Sequence, residues 1–149
     1  MAELKDLYHD LVRFETELWA ALDARLRRDC ELQLTWFEVM QFLSLKPRRR
    51  VHDIAKEFAI SAGGVSKVID RIEEAGYCHR VRNPDDRRSS LLELTKSGEL
   101  KLRAAMPAFE DELERRFSAV LGHAELERMS LNLKLLRVGA PDRSSSSLS

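Results

Sequence analysis

The sequence predicts a mainly helical protein in which long helices at both ends of the chain flank a compact middle with one small β-hairpin. Apolar residues recur at three- and four-residue spacing near both termini, as they do on the buried face of a helix. In the middle, two short helical patterns precede an alternating segment, a polar turn and a second alternating segment. The chain has 149 residues, of which 44% are hydrophobic, and this is enough for one domain with a hydrophobic core.

The N-terminal segment is predicted to be one long amphipathic helix from Glu3 to about Arg28. Two further helices are predicted near the other end of the chain, separated by a break at Gly122. Pro107 should kink the first of these helices or lie near its start, because proline removes an internal hydrogen bond. The apolar faces of the three helices consist of Leu4, Leu7, Leu11, Phe14, Leu18 and Leu22; of Met106, Phe109, Leu113, Phe117 and Val120; and of Leu126, Met129, Leu133 and Leu136.

These terminal apolar faces need a surface to cover them. Two long helices at opposite ends of a small chain more often pair with a second copy than with each other. Residues 1–30 and 100–140 are therefore expected to form the helical dimerisation region of a homodimer. The alternative is that all these faces pack within one chain. The polar tail 141–149 cannot bury a core and is predicted to be disordered.

The middle of the chain is predicted to contain a helix-turn-helix. Thr35 and Glu38 have the spacing of a capping box, in which each side chain bonds the backbone amide of the other residue. After a second short helix, Ile60 can fill the angle between the helices and Ser61 can cap the next one. Gly76 then ends that helix. The inward positions are Phe37, Val39, Met40 and Leu43; Val51, Ile54, Ala55 and Phe58; and Val65, Val68, Ile69 and Ile72.

A β-hairpin is predicted directly after these helices. The alternating segment YCHRVR is followed by the polar turn NPDDRRSS and by a second strand, LLELT. Arg87 and Arg88 lie at the tip of this hairpin. A helix-turn-helix followed by such a hairpin is a winged helix, so residues 31–99 are assigned to a winged helix-turn-helix. The next long helix should begin within Thr95–Gly98.

From Asp53 to Gly98 the sequence resembles the MarR family of bacterial winged-helix regulators. The resemblance is carried by Ile72-Glu73-Glu74-Ala75-Gly76, Asp86-Arg87-Arg88 and Leu94-Thr95-Lys96-Ser97-Gly98. It implies a homodimeric transcriptional regulator, most often a repressor that is relieved by a small molecule. The family usually has serine or threonine where Gly63 and Gly64 stand, and the basic run of residues 48–50 is also unusual.

The resemblance also implies a cleft between the dimerisation helices and the winged helix, where a small aromatic effector would bind. The residues near this cleft would be Trp19, Trp36, Phe37 and Met40. Core packing is the more common role for such side chains and is the alternative.

The helix-turn-helix provides a surface suited to double-stranded DNA. The N-terminal part of its second helix meets base edges in the major groove, and the free amides there attract phosphate. Gly63 and Gly64 would let the backbone approach the duplex, although close packing against the preceding helix is the alternative. Ser66 and Lys67 are placed to read bases, and Arg71 to contact phosphate. The predicted set in this helix is Ser61, Ala62, Gly63, Gly64, Ser66, Lys67 and Arg71.

Two groups of arginines extend this predicted DNA surface. Arg87 and Arg88 at the hairpin tip can enter a minor groove, whereas a solvated turn is the alternative. Asp86 is expected to orient one of them. Arg48, Arg49 and Arg50 are expected to contact phosphate or to form a solvated loop. The inverted repeat expected for a twofold dimer would have half-site centres about one helical turn apart.

Composition excludes several other classes of protein. The formal net charge is zero, so any attraction to phosphate must be local. No apolar stretch is long enough for a membrane span, and the two cysteines do not form a disulfide framework; a reduced cytoplasmic protein is the simplest interpretation. No metal site is predicted, because the four histidines lack metal-ligand spacing; they are His9, His52, His79 and His123. The acidic pair Asp85-Asp86 lies in a turn and is not a catalytic carboxylate pair. Neither a cofactor nor an enzyme is therefore predicted. Redox sensing through Cys30 or Cys78, or a winged helix that binds protein instead of DNA, are the alternative functions.

Overall fold

A computed structural model describes residues 3–58 and 62–139. Along these residues the chain forms helices α1 (Leu4–Cys30), α2 (Leu34–Leu45), α3 (Val51–Phe58) and α4 (Ala62–Glu74), strands β1 (Cys78–Arg82) and β2 (Ser90–Leu94), and helices α5 (Lys96–Arg116) and α6 (His123–Val138). The mainly helical fold with one hairpin is confirmed. The predictions for Ile60, Ser61 and the tail 141–149 fall outside the described residues.

The chain divides into two compact units, with the boundary between Glu112 and Leu113. The first unit contains the helix-turn-helix, the hairpin and a hydrophobic core around α2. Phe37, Met40 and Leu43 are fully buried in this core, as the sequence predicts. The ring of Phe37 packs on that of Phe109, with 4.5 Å between the ring centroids. The other buried apolar residues are Leu22, Leu26, Leu32, Leu34, Val39, Ile54, Ala55, Val65, Ile69, Ile72, Cys78, Leu92, Leu102 and Ala105.

The predicted capping box at Thr35 and Glu38 is wrong. Helix α2 begins at Leu34, two residues earlier than a cap at Thr35 would give, and its N-cap residue, Gln33, makes no side-chain capping bond. The backbone amide of Leu34 instead donates a hydrogen bond of 2.9 Å to the Asp23 carboxylate, which lies on α1. A carboxylate from a neighbouring helix thus satisfies an amide that α2 itself leaves unpaired. Thr35 and Glu38 are consequently inside the helix rather than at its cap.

The end of α4 follows the prediction. Gly76 has a φ angle of 85°, in the left-handed region that favours glycine. The amide of Gly76 donates to the Glu73 carbonyl at 2.9 Å, and the amide of Tyr77 donates to the Ile72 carbonyl at 3.1 Å. These two bonds form a Schellman motif, which closes the helix and turns the chain into β1.

The hairpin is antiparallel, and its register pairs Cys78 with Leu94 and Arg82 with Ser90. A third segment joins it: Arg49 pairs with Leu92 in an antiparallel bridge. The Leu92 amide donates to the Arg49 carbonyl at 2.8 Å, and the Arg48 amide donates to the Leu92 carbonyl at 3.1 Å. The segment between α2 and α3 therefore belongs to the wing sheet, which local sequence patterns do not indicate.

The terminal helices expose much of their apolar surface. On α1 in the first unit, the exposed residues include Leu4, Leu7, Tyr8, Leu11, Val12 and Trp19. In the second unit, α6 exposes Leu131, Leu133, Leu135, Leu136 and Val138. The break at Gly122 is confirmed as the N-cap of α6, and Pro107 lies inside α5 rather than near its start.

Candidate nucleic-acid interface

Helix α4 presents its polar side chains to solvent on the face opposite its buried residues. Lys67 and Arg71 are exposed, and Ser66 is half-buried. Neither cation forms an ion pair with any described residue. An unpaired cation loses no existing partner when it meets a phosphate, so this pair is well suited to bind nucleic acid.

The wing is tied to α4 by Arg80 on β1. Its guanidinium donates to Asp70 at 2.6 Å and to Glu73 at 2.5 Å, and its backbone amide donates to the second Glu73 oxygen at 3.0 Å. These hydrogen bonds raise the pKa of Arg80, the bond to Asp70 most of all. Because charge-assisted bonds to two successive turns of α4 fix the strand, the helix and the wing form one continuous surface.

Hydrogen bonds within the hairpin turn shape the wing tip. The buried Asn83 donates from its side-chain amide to the Ser89 hydroxyl at 3.1 Å and accepts from the Asp85 amide at 3.0 Å. Asp86 accepts a bond of 2.9 Å from the Arg88 backbone amide, so it orients this arginine through the main chain. The side chains of Arg87 and Arg88 remain exposed, without an ion pair to the described part of the chain.

Residues 48–50 are predicted to contact phosphate or to form a solvated loop, but hydrogen bonds to other residues hold two of the three arginines in place. Arg48 has a left-handed φ angle of 59°, and its Nε atom donates to Glu93 at 2.7 Å. The backbone amide of Arg50 donates to Asp53 at 3.0 Å, and this bond lowers the pKa of the Asp53 carboxyl. Arg49 pairs through its backbone, and its exposed side chain has no ion pair among the described residues. Of the three side chains, Arg49 is therefore the one available to phosphate.

The two glycines of α4 have different surroundings. A Cβ atom added at Gly63 would meet no described atom within 4 Å, so packing against the preceding helix does not account for this glycine. Gly64 is half-buried and lines an apolar cavity. Gly63 is thus the position where a missing side chain leaves open space on the outer surface of the helix.

The four residues predicted to line an effector cleft differ in how deeply they are buried. Phe37 and Met40 are fully buried in the core, whereas Trp19 is 42% exposed and Trp36 is half-buried. The described cavities are lined by other residues. An effector cleft at these four positions stays a prediction.

Cysteine and metal chemistry have little support in the described residues. Burial raises the pKa of Cys78 to about 11, which disfavours the reactive thiolate, and its thiol faces the Ile69 carbonyl at 3.9 Å. Cys30 is half-buried. Within residues 3–58 and 62–139, no cluster of histidine, cysteine or carboxylate residues could hold a metal ion. No helix in these ranges has the length and apolar character of a membrane span.

Arg82 is a further candidate that the predicted site omits. It ends β1, is exposed and has no ion pair with described residues. The sequence places it directly before the Asn-Pro turn, and this position at the base of the wing is the signal that could have identified it. A helix-turn-helix joined in this way to a hairpin defines a winged-helix protein.

Comparison with known proteins shows which regulators the chain resembles. Residues 31–89 match the model of the MarR family. The regulator MhqR of Bacillus subtilis (strain 168) is 29% identical over 108 residues, or 72% of each chain. YkoM, an uncharacterised HTH-type transcriptional regulator from the same strain, is 29% identical over 86 residues, which cover 58% of this chain and only 56% of YkoM. Over residues 31–89 the chain is therefore similar to the MarR family.

A solved structure shares the fold over almost the whole chain. Sco3205, a MarR family transcriptional regulator from Streptomyces coelicolor, was crystallised in complex with DNA. Its structure aligns with a TM-score of 0.85 at 22% identity, over 98% of this chain and 92% of Sco3205. The matched proteins are regulators rather than enzymes, in agreement with the prediction that this chain is not an enzyme.

Proposed function

We propose that the protein regulates transcription by binding double-stranded DNA as a homodimer. The observation that carries the proposal is the distribution of unpaired cations. Lys67 and Arg71 on α4 and Arg87 and Arg88 at the wing tip have no ion pair in the described structure, whereas Arg80 is held by carboxylates. In this arrangement α4 enters the major groove and the wing arginines reach the adjacent minor groove. The complex of Sco3205 with DNA supports the same use of this fold.

The exposed apolar faces support the homodimer. Apolar side chains along α1 and α6 would otherwise be in contact with water, with Leu4 81% and Val138 88% exposed. Exposed apolar side chains grouped along a helix usually mark a protein interface. A twofold dimer places two α4 helices on one side of the duplex. The preferred site is then an inverted repeat with half-site centres about 34–36 Å apart.

Selection of bound duplexes from a random pool tests this function. We expect enrichment of an inverted repeat, and sedimentation equilibrium of the free protein should give the mass of a dimer. Recovery of unrelated sequences, with an affinity that depends on salt alone, would contradict sequence-specific regulation.

We further propose repression relieved by an aromatic effector near Trp19 and Trp36. Thermal-shift screening with aromatic acids checks this, because a bound ligand stabilises the native state.

Replacing Gly63 with alanine should have opposite effects on the stability of the protein and on its affinity for DNA. The variant is expected to be more stable by roughly 0.4–1 kcal/mol, because alanine restricts the unfolded chain and fits the helix. Its affinity for the selected duplex should nevertheless fall, since the added methyl group lies where the backbone approaches DNA. Urea unfolding and fluorescence anisotropy measure the two effects. A gain in stability without a loss of affinity would show that Gly63 does not lie against the duplex.

A further inference from the structure

Four exposed residues of α4 lie on one line along the helix, opposite its buried side. Their spacing of three or four positions brings them to the same face. They are Gly63, Lys67, Asp70 and Glu74. A contact between α4 and the floor of a DNA groove is therefore made along this line.

The charge changes sign along this line. Lys67 lies in the N-terminal half of α4, whereas the carboxylates of Asp70 and Glu74 lie in its C-terminal half. A carboxylate beside the phosphate backbone loses hydration and meets charge of its own sign. The N-terminal half is therefore the part of α4 that is suited to enter a groove.

Few side chains in this N-terminal half can read a base. Gly63 and Gly64 have no side chain, Val65 is buried, and Ser66 is half-buried. Lys67 is exposed and forms no ion pair with any described residue. In the sequence it is also the only charged residue between positions 62 and 68. Direct readout by the start of α4 thus depends chiefly on one ammonium group.

The chemistry of an ammonium group selects the base that it contacts. It donates hydrogen bonds and accepts none. In the major groove guanine presents two acceptors, N7 and O6, whereas adenine presents one acceptor beside an amino donor. Cytosine presents a donor, and thymine presents one acceptor beside a methyl group. The open space around Gly63, one turn before Lys67, lets the helix backbone approach the groove floor, which brings the ammonium group within reach of a guanine.

We propose that Lys67 reads one guanine in each half-site and that α4 specifies no other base strongly. The proposal rests on the DNA-binding function proposed above. Arg71 lies one turn later, at the edge of the same face, and contacts phosphate instead. The recognised duplex is then an inverted repeat with one well-defined guanine in each half, whose other major-groove positions under α4 tolerate substitution.

Selection from a random pool, run in parallel with the native chain and with variants of α4, tests this assignment. The native chain should recover one guanine in each half-site, and Lys67→Ala should recover the same repeat without it. Lys67→Arg should keep the guanine, because arginine also donates to N7 and O6. Arg71→Ala removes the same charge one turn away and is the matched control. It should weaken binding to all duplexes and keep the guanine.

Affinities for altered duplexes provide a second test. Replacing the guanine by adenine should weaken binding of the native chain roughly 5- to 150-fold. Replacing it by 7-deazaguanine, which lacks the N7 acceptor, should also weaken binding. Both losses should disappear in Lys67→Ala, because the interacting group is then already absent. This variant is expected to fold, since Lys67 is exposed and alanine favours a helix.

The outcomes separate this assignment from the proposed function. A recovered repeat without a guanine, a guanine preference that Lys67→Ala retains, or undiminished binding to the 7-deazaguanine duplex would overturn the assignment and leave sequence-specific DNA binding intact. Failure of the native chain to bind any duplex would overturn both.

Discussion

Simultaneous replacement of Lys67 and Arg88 by alanine should remove most specific DNA binding. Each side chain is expected to contribute about 1–3 kcal/mol to binding of a cognate duplex. The two residues lie on different elements, so their effects should add approximately, to a loss of about 30-fold to more than 10⁴-fold in affinity. Fluorescence anisotropy over a series of salt concentrations measures this loss, together with the shallower salt dependence that follows when fewer phosphates are contacted.

The matched control removes the same two charges elsewhere. Lys96 and Arg103 are exposed on α5, outside both α4 and the wing. Their double alanine variant has the same net charge as the test variant, so it measures the effect of overall charge alone. Comparable weakening of binding by both pairs would mean that the surface of α4 and the wing tip is not the DNA interface.

Replacing Gly98 with alanine should cause the largest loss of stability in the winged helix. A Cβ atom there would lie 2.0 Å from the Tyr77 carbonyl oxygen and 2.8 Å from its carbon. These are backbone atoms, and the Thr95 amide holds the same carbonyl at 3.0 Å, so the clash cannot be relieved by a rotamer change. We expect a loss of about 3 kcal/mol in the free energy of unfolding, at the upper end for an overpacked site. The melting temperature should fall by roughly 6–12 °C.

Calorimetry checks this prediction against Gly63→Ala, which places the same methyl group in open space on α4. The Gly98 amide also donates a capping hydrogen bond to the Thr95 hydroxyl oxygen at 3.0 Å, so the strain falls on the first turn of α5. A melting temperature for Gly98→Ala within a degree or two of the native value would show that α5 does not begin against Tyr77 in solution.

Patterns that depend on neighbouring residues were sufficient to predict most of the fold. Apolar spacing indicated α1, α4 and the core positions of α2, because helical periodicity reports directly which face is buried. Gly76 was predicted as a helix end because its backbone requirement is local. The hairpin was predicted from two alternating segments around a polar turn, and its register follows that alternation.

Features that depend on distant partners could not be predicted in this way. The cap of α2 comes from Asp23 on the preceding helix. The local pattern at Thr35 instead predicts a capping box, because it contains no information about Asp23. Within the site, sequence alone could not distinguish cations held by carboxylates from those left unpaired. Arg48 is paired with Glu93, forty-five positions away, whereas its neighbour Arg49 is unpaired in the described structure.

The bridge between Arg49 and Leu92 determines where the chain can accept extra residues. An insertion between α2 and α3 would shift Arg49 out of register with β2 and break the backbone hydrogen bonds at Leu92. The exposed turn at Pro84–Asp85 lies beyond the paired residues of both strands, so a longer hairpin there leaves the sheet intact. The wing sheet therefore tolerates a longer hairpin turn, at the cost of displacing the wing-tip arginines from the proposed DNA interface, whereas the short connection before α3 must keep its length.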